Sequence, residues 1–211
     1  LTEVSVRRAV RSGQCLWKMG DPADFVGVIL SGCFEVTRLS PAGTETCMAV
    51  FGQADVIGMS AVLRKTAYPG TARAISPGSE VIKMYLRPIV QRNDPTLAQE
   101  IGDWLREMVL IHEQILRDKV DIVSAGRVEQ KVFELLVQLN RRFGVRESRS
   151  RSRIPLKISK TQVSRLVDAR VETVIRLLGQ WKKKGLVYFD RTGILVSDWD
   201  EMAKWIERDK K

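Results

Sequence analysis

The apolar residues of this chain change their period once, close to Asp94, and that change limits what the chain can fold into. Ahead of it they alternate or come in short blocks between turn residues. "VSVRRAV" alternates, "VGVILSGCFEVTRL" is broken by Ser-Gly, "SPAGTE" reads as a turn, and "TCMAVFG", "TARAIS" and "SEVIKMYL" read as further strands. Alternation puts one apolar edge of each strand against a core, and clusters of Gly, Pro and Ser mark the turns between them. Strands this short and this closely spaced predict a small barrel or sandwich over residues 1–86. The chain opens directly on a strand, so the natural protein is expected to extend further upstream.

Beyond Asp94 the spacing becomes helical. In "DPTLAQEIGDWLREMVLIHEQILRDKVDIV", Ile101, Met108, Ile115 and Ile122 stand at sevens, with Trp104 and Ile111 three residues after the first two. A stripe that repeats every seven residues predicts a seam between two copies of the helix. Leu105, Val109, Leu110 and Leu116 broaden it, so the helix is expected to be covered on two sides, by its own β domain and by a partner. After "SAG" a second helix reads "RVEQKVFELLVQLNRRF", and the cationic "GVRESRSRSR" reads as a loop or exposed hairpin. The remainder predicts two short helices, two strands joined at "DRTG", and a last helix opened by a capping box at Asp198 and Glu201.

Composition excludes several classes. No apolar run approaches the roughly 20 residues that cross a bilayer, and "LTEVSVRRAVRSGQ" has arginines where a signal peptide needs an apolar stretch. Cys15, Cys33 and Cys47 form no Cys-x-x-Cys pair and read as buried thiols, which points to a reducing compartment, the cytoplasm. The net charge of +10 lies wholly after residue 140, where 19 Lys and Arg face 9 Asp and Glu. One-sided cationic charge on a domain-sized segment is the footprint of a polyanion-binding surface.

The residues of that segment say more. Ser159-Lys160-Thr161-Gln162 is a capping box opening a helix with Val163, Leu166 and Val167 on its apolar face. The turn "DAR" leads to a second helix, "VETVIRLLGQW", whose buried side is Val174, Leu177, Leu178 and Trp181. Two short helices, a tight turn and a following β-hairpin describe a winged helix-turn-helix. In that motif the second helix enters the major groove N-terminus first. Glu172 and Arg176 are four residues apart, share a face, and lie opposite the buried stripe. A guanidinium can grip guanine O6 and N7 together, and a carboxylate can accept from cytosine N4. The acid is also expected to hold the arginine in place.

"ISKTQVSRLVDARVETVIRLLGQWKKKGLV" resembles the DNA-binding motif of the CRP/FNR transcription regulators, with their Glu-x-x-x-Arg recognition helix, and "VETVIRLLG" is most similar to the FNR branch. The resemblance extends through "GDPADFVGVILSG", "FGQADVIG" and "AGRVEQKVFELL". It implies an α+β protein: a β-roll sensor over 1–94, a dimerisation helix and hinge over 95–124, and a winged helix-turn-helix over 125–211. It implies Arg176 on guanine, Glu172 on the neighbouring pair, Val171 on a thymine methyl and Ile175 among the base contacts. Thr173, Arg170, Ser159 and Lys160 would meet phosphates. Lys183 in "KKKG", Arg191 at the wing tip and the Arg/Ser stretch are further candidates for phosphate neutralisation. A homodimer on a palindrome with a GA core in each half-site follows, with RNA polymerase as a partner and rotation about Ser124–Gly126 as the signal. The chain departs from the family at Asp168, where Gly is usual, at Arg170, where a Ser or Thr cap is usual, and at Ile175, where FNR-like members have Ser.

Members that bind cyclic nucleotides resemble one another in a Gly-Glu for the ribose and an Arg-Ser or Arg-Thr for the phosphate. The matching positions here are Gly58-Met59 and Gly70-Thr71, with Arg73 two residues on. Methionine cannot accept from a ribose hydroxyl, so no ordinary response to cyclic AMP is expected. His112 matches the place on the long helix that contacts the base, and reads as a packing residue, with haem ligation or a pH switch as the alternative. A chain with one histidine falls short of the several that a cupin metal site takes, and no catalysis is expected. The rival reading is a nonspecific module whose basic tail docks on RNA or an acidic protein.

Overall fold

A computed structural model of the chain describes residues 5–41, 43, 45–87 and 94–208. By contacts the chain divides into two compact units, Leu1–Arg117 and Asp118–Lys211.

The described residues of the first unit carry eight strands: β1 (Ser5–Val10), β2 (Cys15–Trp17), β3 (Val26–Ser31), β4 (Phe34–Leu39), β5 (Glu45–Phe51), β6 (Val56–Ile57), β7 (Thr71–Ala74) and β8 (Ser79–Met84). They form two four-stranded antiparallel sheets, ordered β1-β8-β3-β6 and β2-β7-β4-β5. Phe34, Ala49, Ala72 and Ala74 from one sheet share a buried cluster with Val10, Ile29, Ile57 and Val81 from the other. Trp17 lies flat on Tyr68 in this cluster, ring centroids 4.0 Å apart and 9° from parallel. Such a pair contributes about 0.5–1.5 kcal/mol beyond its burial. A short helix, α1 (Met59–Arg64), was not legible in the sequence, because six residues are too few to show a helical period. It starts from Gly58, at φ 83°, where a Cβ would lie 2.9 Å from ring atoms of both Trp17 and Tyr68. Glycine is required there on both counts.

The long helix α2 spans Pro95–Ser124. Its heptad residues do not form a free seam. Met108 is buried with Val26, Val56, Met59 and Leu86, and Ile101 and Trp104 pack against the same cluster. Ile115 is buried in the cluster between the sheets, and Ile122 is buried further along the helix. Of the six, only Ile111 is exposed. The expectation of a dimer seam is therefore corrected at Met108, Ile115 and Ile122, which face inward; Ile101 and Trp104 are half-buried. The unpartnered apolar face runs through Val109, Leu116 and Val120, which are 50%, 52% and 59% exposed.

The second unit begins inside α2, seven residues before the boundary read from the sequence. The cause is local. Asp118 receives two hydrogen bonds from Arg141 Nη2, at 2.7 and 2.6 Å, and Lys119 donates from Nζ to the Leu166 carbonyl. These tie the last turns of α2 to α3 (Val128–Phe143) and α4 (Lys160–Leu166). The chain breaks helix at Gly126, φ 93°. That break lies within the second unit, so a rotation about it would strain the Asp118–Arg141 pair. The recognition-type helix α5 (Val171–Lys183) follows α4, and α6 (Trp199–Arg208) closes the unit. β9 (Val145–Arg146), β10 (Ser152–Ile154), β11 (Val187–Asp190) and β12 (Gly193–Val196) form one antiparallel sheet, ordered β11-β12-β10-β9.

Candidate nucleic-acid interface

The capping box at the start of α4 is complete: Ser159 Oγ accepts from Gln162 N at 3.1 Å, and Ser159 N donates to Gln162 Oε1 at 2.6 Å. A cap of this kind contributes about 1 kcal/mol and fixes where the helix begins. It also turns the Ser159 hydroxyl inward, towards its own helix. The turn to α5 passes through Asp168 at φ 51°, a left-handed conformation that Asp tolerates better than most residues. Arg170 stands at the N-cap of α5 without a side-chain cap hydrogen bond. The first amides of α5 thus have no side-chain oxygen from that residue, and an anion is favoured at this end of the helix.

Along α5, Val174, Leu177, Leu178 and Trp181 are buried, as the sequence spacing requires. The opposite stripe is Glu172, Ile175, Arg176, Lys182 and Lys183, all exposed, and Ile175 shows 45% of its surface. Val171 and Thr173 are half-buried at its edge. No ion pair links Glu172 to Arg176 among the described residues, so the expected hold of the acid on the base is absent in the free protein. Both groups stand in solvent, ready to be matched by a ligand.

The wing contains a network that the sequence did not disclose. At the turn between β11 and β12, Asp190 Oδ1 accepts from Thr192 N (2.7 Å), Thr192 Oγ1 (2.6 Å) and Gly193 N (3.1 Å). Arg153 on β10 donates from Nη1 to Asp190 Oδ2 (3.0 Å) and Thr192 Oγ1 (2.5 Å), and from Nε to Glu147 (3.1 Å). The Thr192 hydroxyl, then Arg153, hold the Asp190 carboxyl well below the usual carboxylate range. Arg151 also pairs with Glu147, at 2.8 Å. The Arg/Ser stretch is thus only partly available to phosphates, since Arg151 and Arg153 already have carboxylate partners. Arg191 at the tip, Lys160 at the start of α4 and Lys183 are exposed.

The residues expected to line an effector pocket are engaged by the protein itself. Met59 is buried in an apolar cluster. The Gly70 carbonyl accepts from Trp17 Nε1 at 3.1 Å, and a Cβ at Gly70 would sit 2.6 Å from the Thr37 carbonyl. Thr71 Oγ1 accepts from Met19 N at 3.0 Å. Arg73 faces Glu35, a buried carboxylate, at 3.4 Å. Cys15 faces Arg73 across the sheet and is half-exposed, unlike the buried Cys33 and Cys47, which corrects the expectation of three buried thiols. Burial pushes the Tyr68 phenol up to about 12, and its hydroxyl donates to the Phe25 carbonyl at 2.5 Å. His112 contacts the Val56 carbonyl through Nε2 at 2.5 Å, with its ring 5.7 Å from that of Phe51. A carbonyl only accepts, so Nε2 carries the proton. That nitrogen is committed to a hydrogen bond within the protein. A cavity of about 950 Å³ lies elsewhere in this unit, lined among others by Pro22, Ala23, Val62, Leu63 and Leu86. None of the expected effector residues lines it.

Comparison with known proteins agrees with this division. A family model for the cyclic nucleotide-binding domain matches residues 7–89, and one for the Crp-like helix-turn-helix domain matches residues 130–205. The "CRP-like cAMP-activated global transcriptional regulator" of Mycobacterium tuberculosis is 23% identical over 203 residues, covering 91% of this chain and 84% of that protein. The "Fumarate and nitrate reduction regulatory protein" of Salmonella typhi is 24% identical over 201 residues, covering 93% and 77%. Among solved structures, FixK2 from Bradyrhizobium japonicum superposes with a TM-score of 0.74 at 18% identity, covering 95% of this chain and 96% of that one. With a sensor-type β unit matched at one end and a helix-turn-helix at the other, and with relatives named as regulators along nearly its whole length, the chain belongs to the CRP/FNR family of transcription regulators.

Proposed function

We propose that this regulator binds a palindromic DNA site as a homodimer, reading a GA-containing half-site with α5, and that cyclic AMP does not control it. The observation that carries the reading is the stripe on α5. An acid, a base and a bare isoleucine stand exposed within five residues, unpaired with one another, on a helix whose other face is fully packed. A charged pair without mutual contact gains most when a base pair supplies the missing donors and acceptors, Arg176 on guanine and Glu172 on cytosine. Val171 and Ile175 add apolar contact for thymine methyls. Arg170, Thr173, Lys160, Lys183 and Arg191 supply the salt-sensitive, sequence-independent share. Ser159 contributes by capping α4 and so orienting the pair of helices.

The dimer face belongs to the exposed stripe Val109–Leu116–Val120. Ion pairs Asp103–Arg106 and Glu113–Arg117 lie on the same helix beside it. An apolar seam with charged flanks is what two antiparallel or parallel helices bury against each other. RNA polymerase contact, a cytoplasmic location and a transmitted rotation between sensor and DNA-binding unit belong to the same reading. No described helix is long and apolar enough to cross a membrane.

Cyclic AMP is disfavoured by chemistry at each matching position. Met59 offers no acceptor, and Arg73 already faces a buried carboxylate, so a ligand phosphate would have to displace Glu35. Thermal denaturation with millimolar cyclic AMP should leave Tm unmoved, and a clear rise would overturn this part. For the DNA reading, a mobility shift on a TTGAT-N4-ATCAA duplex should exceed that on a scrambled duplex by at least tenfold. Equal affinity for the two would favour the nonspecific module instead.

A further inference from the structure

Gly179 stands inside α5, four residues before its last residue Lys183 and about two turns after Glu172. A glycine inside a helix costs about 1 kcal/mol relative to alanine, so its presence asks for a reason. The usual reasons fail here. Its φ is not positive, and a Cβ built at Gly179 would meet nothing within 4 Å. Nothing inside the described protein requires the missing side chain.

The surroundings point outward. On a helix the neighbours of residue 179 are those three and four away: Ile175, Arg176, Lys182 and Lys183. All four are exposed, and three are cations. The bare backbone is therefore the centre of a small positively charged ring on the same stripe as Glu172 and Arg176. Gly179 lies about 12 Å along the helix axis from Val171, at about 1.5 Å per residue. The major groove is about 8.5 Å deep. A helix that enters N-terminus first has its base-reading turn on the groove floor and Gly179 level with the sugar-phosphate wall.

We infer that Gly179 is a docking notch for the DNA backbone. The absent Cβ lets a phosphodiester come against the helix itself, where Lys182 and Lys183 flank it, and this sets how deep α5 sits in the groove. Gly179 is thus a positioning residue, acting through the depth at which Arg176 and Glu172 meet the bases. A methyl group adds about 1.5 Å to the helix at that point, one carbon–carbon bond. That is enough to lift a bidentate contact out of hydrogen-bond range. The inference rests on the proposed DNA reading and adds to it a reason for a residue that no intramolecular contact explains.

The test is Gly179→Ala in the full chain, measured two ways beside wild type and Arg176→Ala. Without DNA, the alanine variant should melt a few degrees higher, because helix propensity rises and no clash follows. In fluorescence anisotropy on the TTGAT-N4-ATCAA duplex, the same variant should bind at least tenfold more weakly. A purely structural glycine would move stability and binding together, so the opposite signs are the signature. If wild type outbinds Arg176→Ala while Gly179→Ala matches wild type, the notch is refuted and the DNA reading stands. If wild type and Arg176→Ala bind every duplex alike, the DNA reading fails, and the notch with it.

Discussion

At the scale of single residues, the two sorts of cation on the C-terminal unit should behave differently. Arg176 faces out from α5 beside Glu172 without an ion-pair partner among the described residues, so its guanidinium is free to read a base edge. Replacing it with alanine is expected to cost about 1–3 kcal/mol on the matching site and to relax the preference at one base pair. Competition binding against a panel of single-base variants measures this, and a uniform loss on every variant would refute the assignment. Lys183 stands two turns later on the same helix. Its removal should weaken all duplexes alike and lower the slope of log K against log salt by about one. The exposed face was legible in the sequence because the spacing of Val174, Leu177, Leu178 and Trp181 fixes which side of α5 is buried, and hence which is left. The partners of Arg153 were not legible. They depend on how β10 lies between β9 and β12, a pairing that no local pattern announces.

At the scale of elements, the wing and the long helix show where sequence reasoning succeeds and fails. The wing turn is a set of hydrogen bonds onto one exposed carboxylate, and its pH response has a definite sign. Asp190 has a folded pKa below its unfolded value of about 3.9. Its contribution to wing order is therefore fully present above that value and is lost only as pH falls towards the depressed one. Amide exchange protection at Thr192 should be flat from pH 8 to pH 5, once the intrinsic rate is removed. Asp190→Asn should lose that protection at neutral pH. A fall in the wild type between pH 6 and pH 5 would contradict the carboxylate's role. The helix α2 teaches the opposite lesson. Residues at sevens announce an apolar stripe, but a β-sheet of the same chain covers such a stripe as well as a second helix does. Met108 and Ile115 went to the sheets, and the exposed Val109, Leu110 and Leu116 were read as mere breadth. The period was right, and cover by the chain's own β unit was expected; which of these residues would meet it was not legible, since periodicity carries no information about what lies opposite.

At the scale of the whole molecule, the proposed reading turns on how two DNA-binding units would meet one palindrome. A half-site contact made by one α5 is short, and the affinity of a site with two halves needs both helices on one assembly. If the exposed stripe is the dimer face, charge placed on it should separate the protomers without unfolding them. Leu116→Glu with Val120→Glu puts like charges opposite one another across the seam, at positions already in water in the single chain. Sedimentation velocity should then give a monomer with the far-UV spectrum of the wild type, and binding to the full palindrome should fall to that of a single half-site. Met108→Ala is the counter-experiment. Its side chain is buried among Val26, Val56, Met59 and Leu86, so its loss should cost about 2–5 kcal/mol of stability and leave the dimer intact. If Met108→Ala separates the protomers while the double glutamate variant remains a dimer, the inward and outward faces of α2 have been assigned the wrong way round.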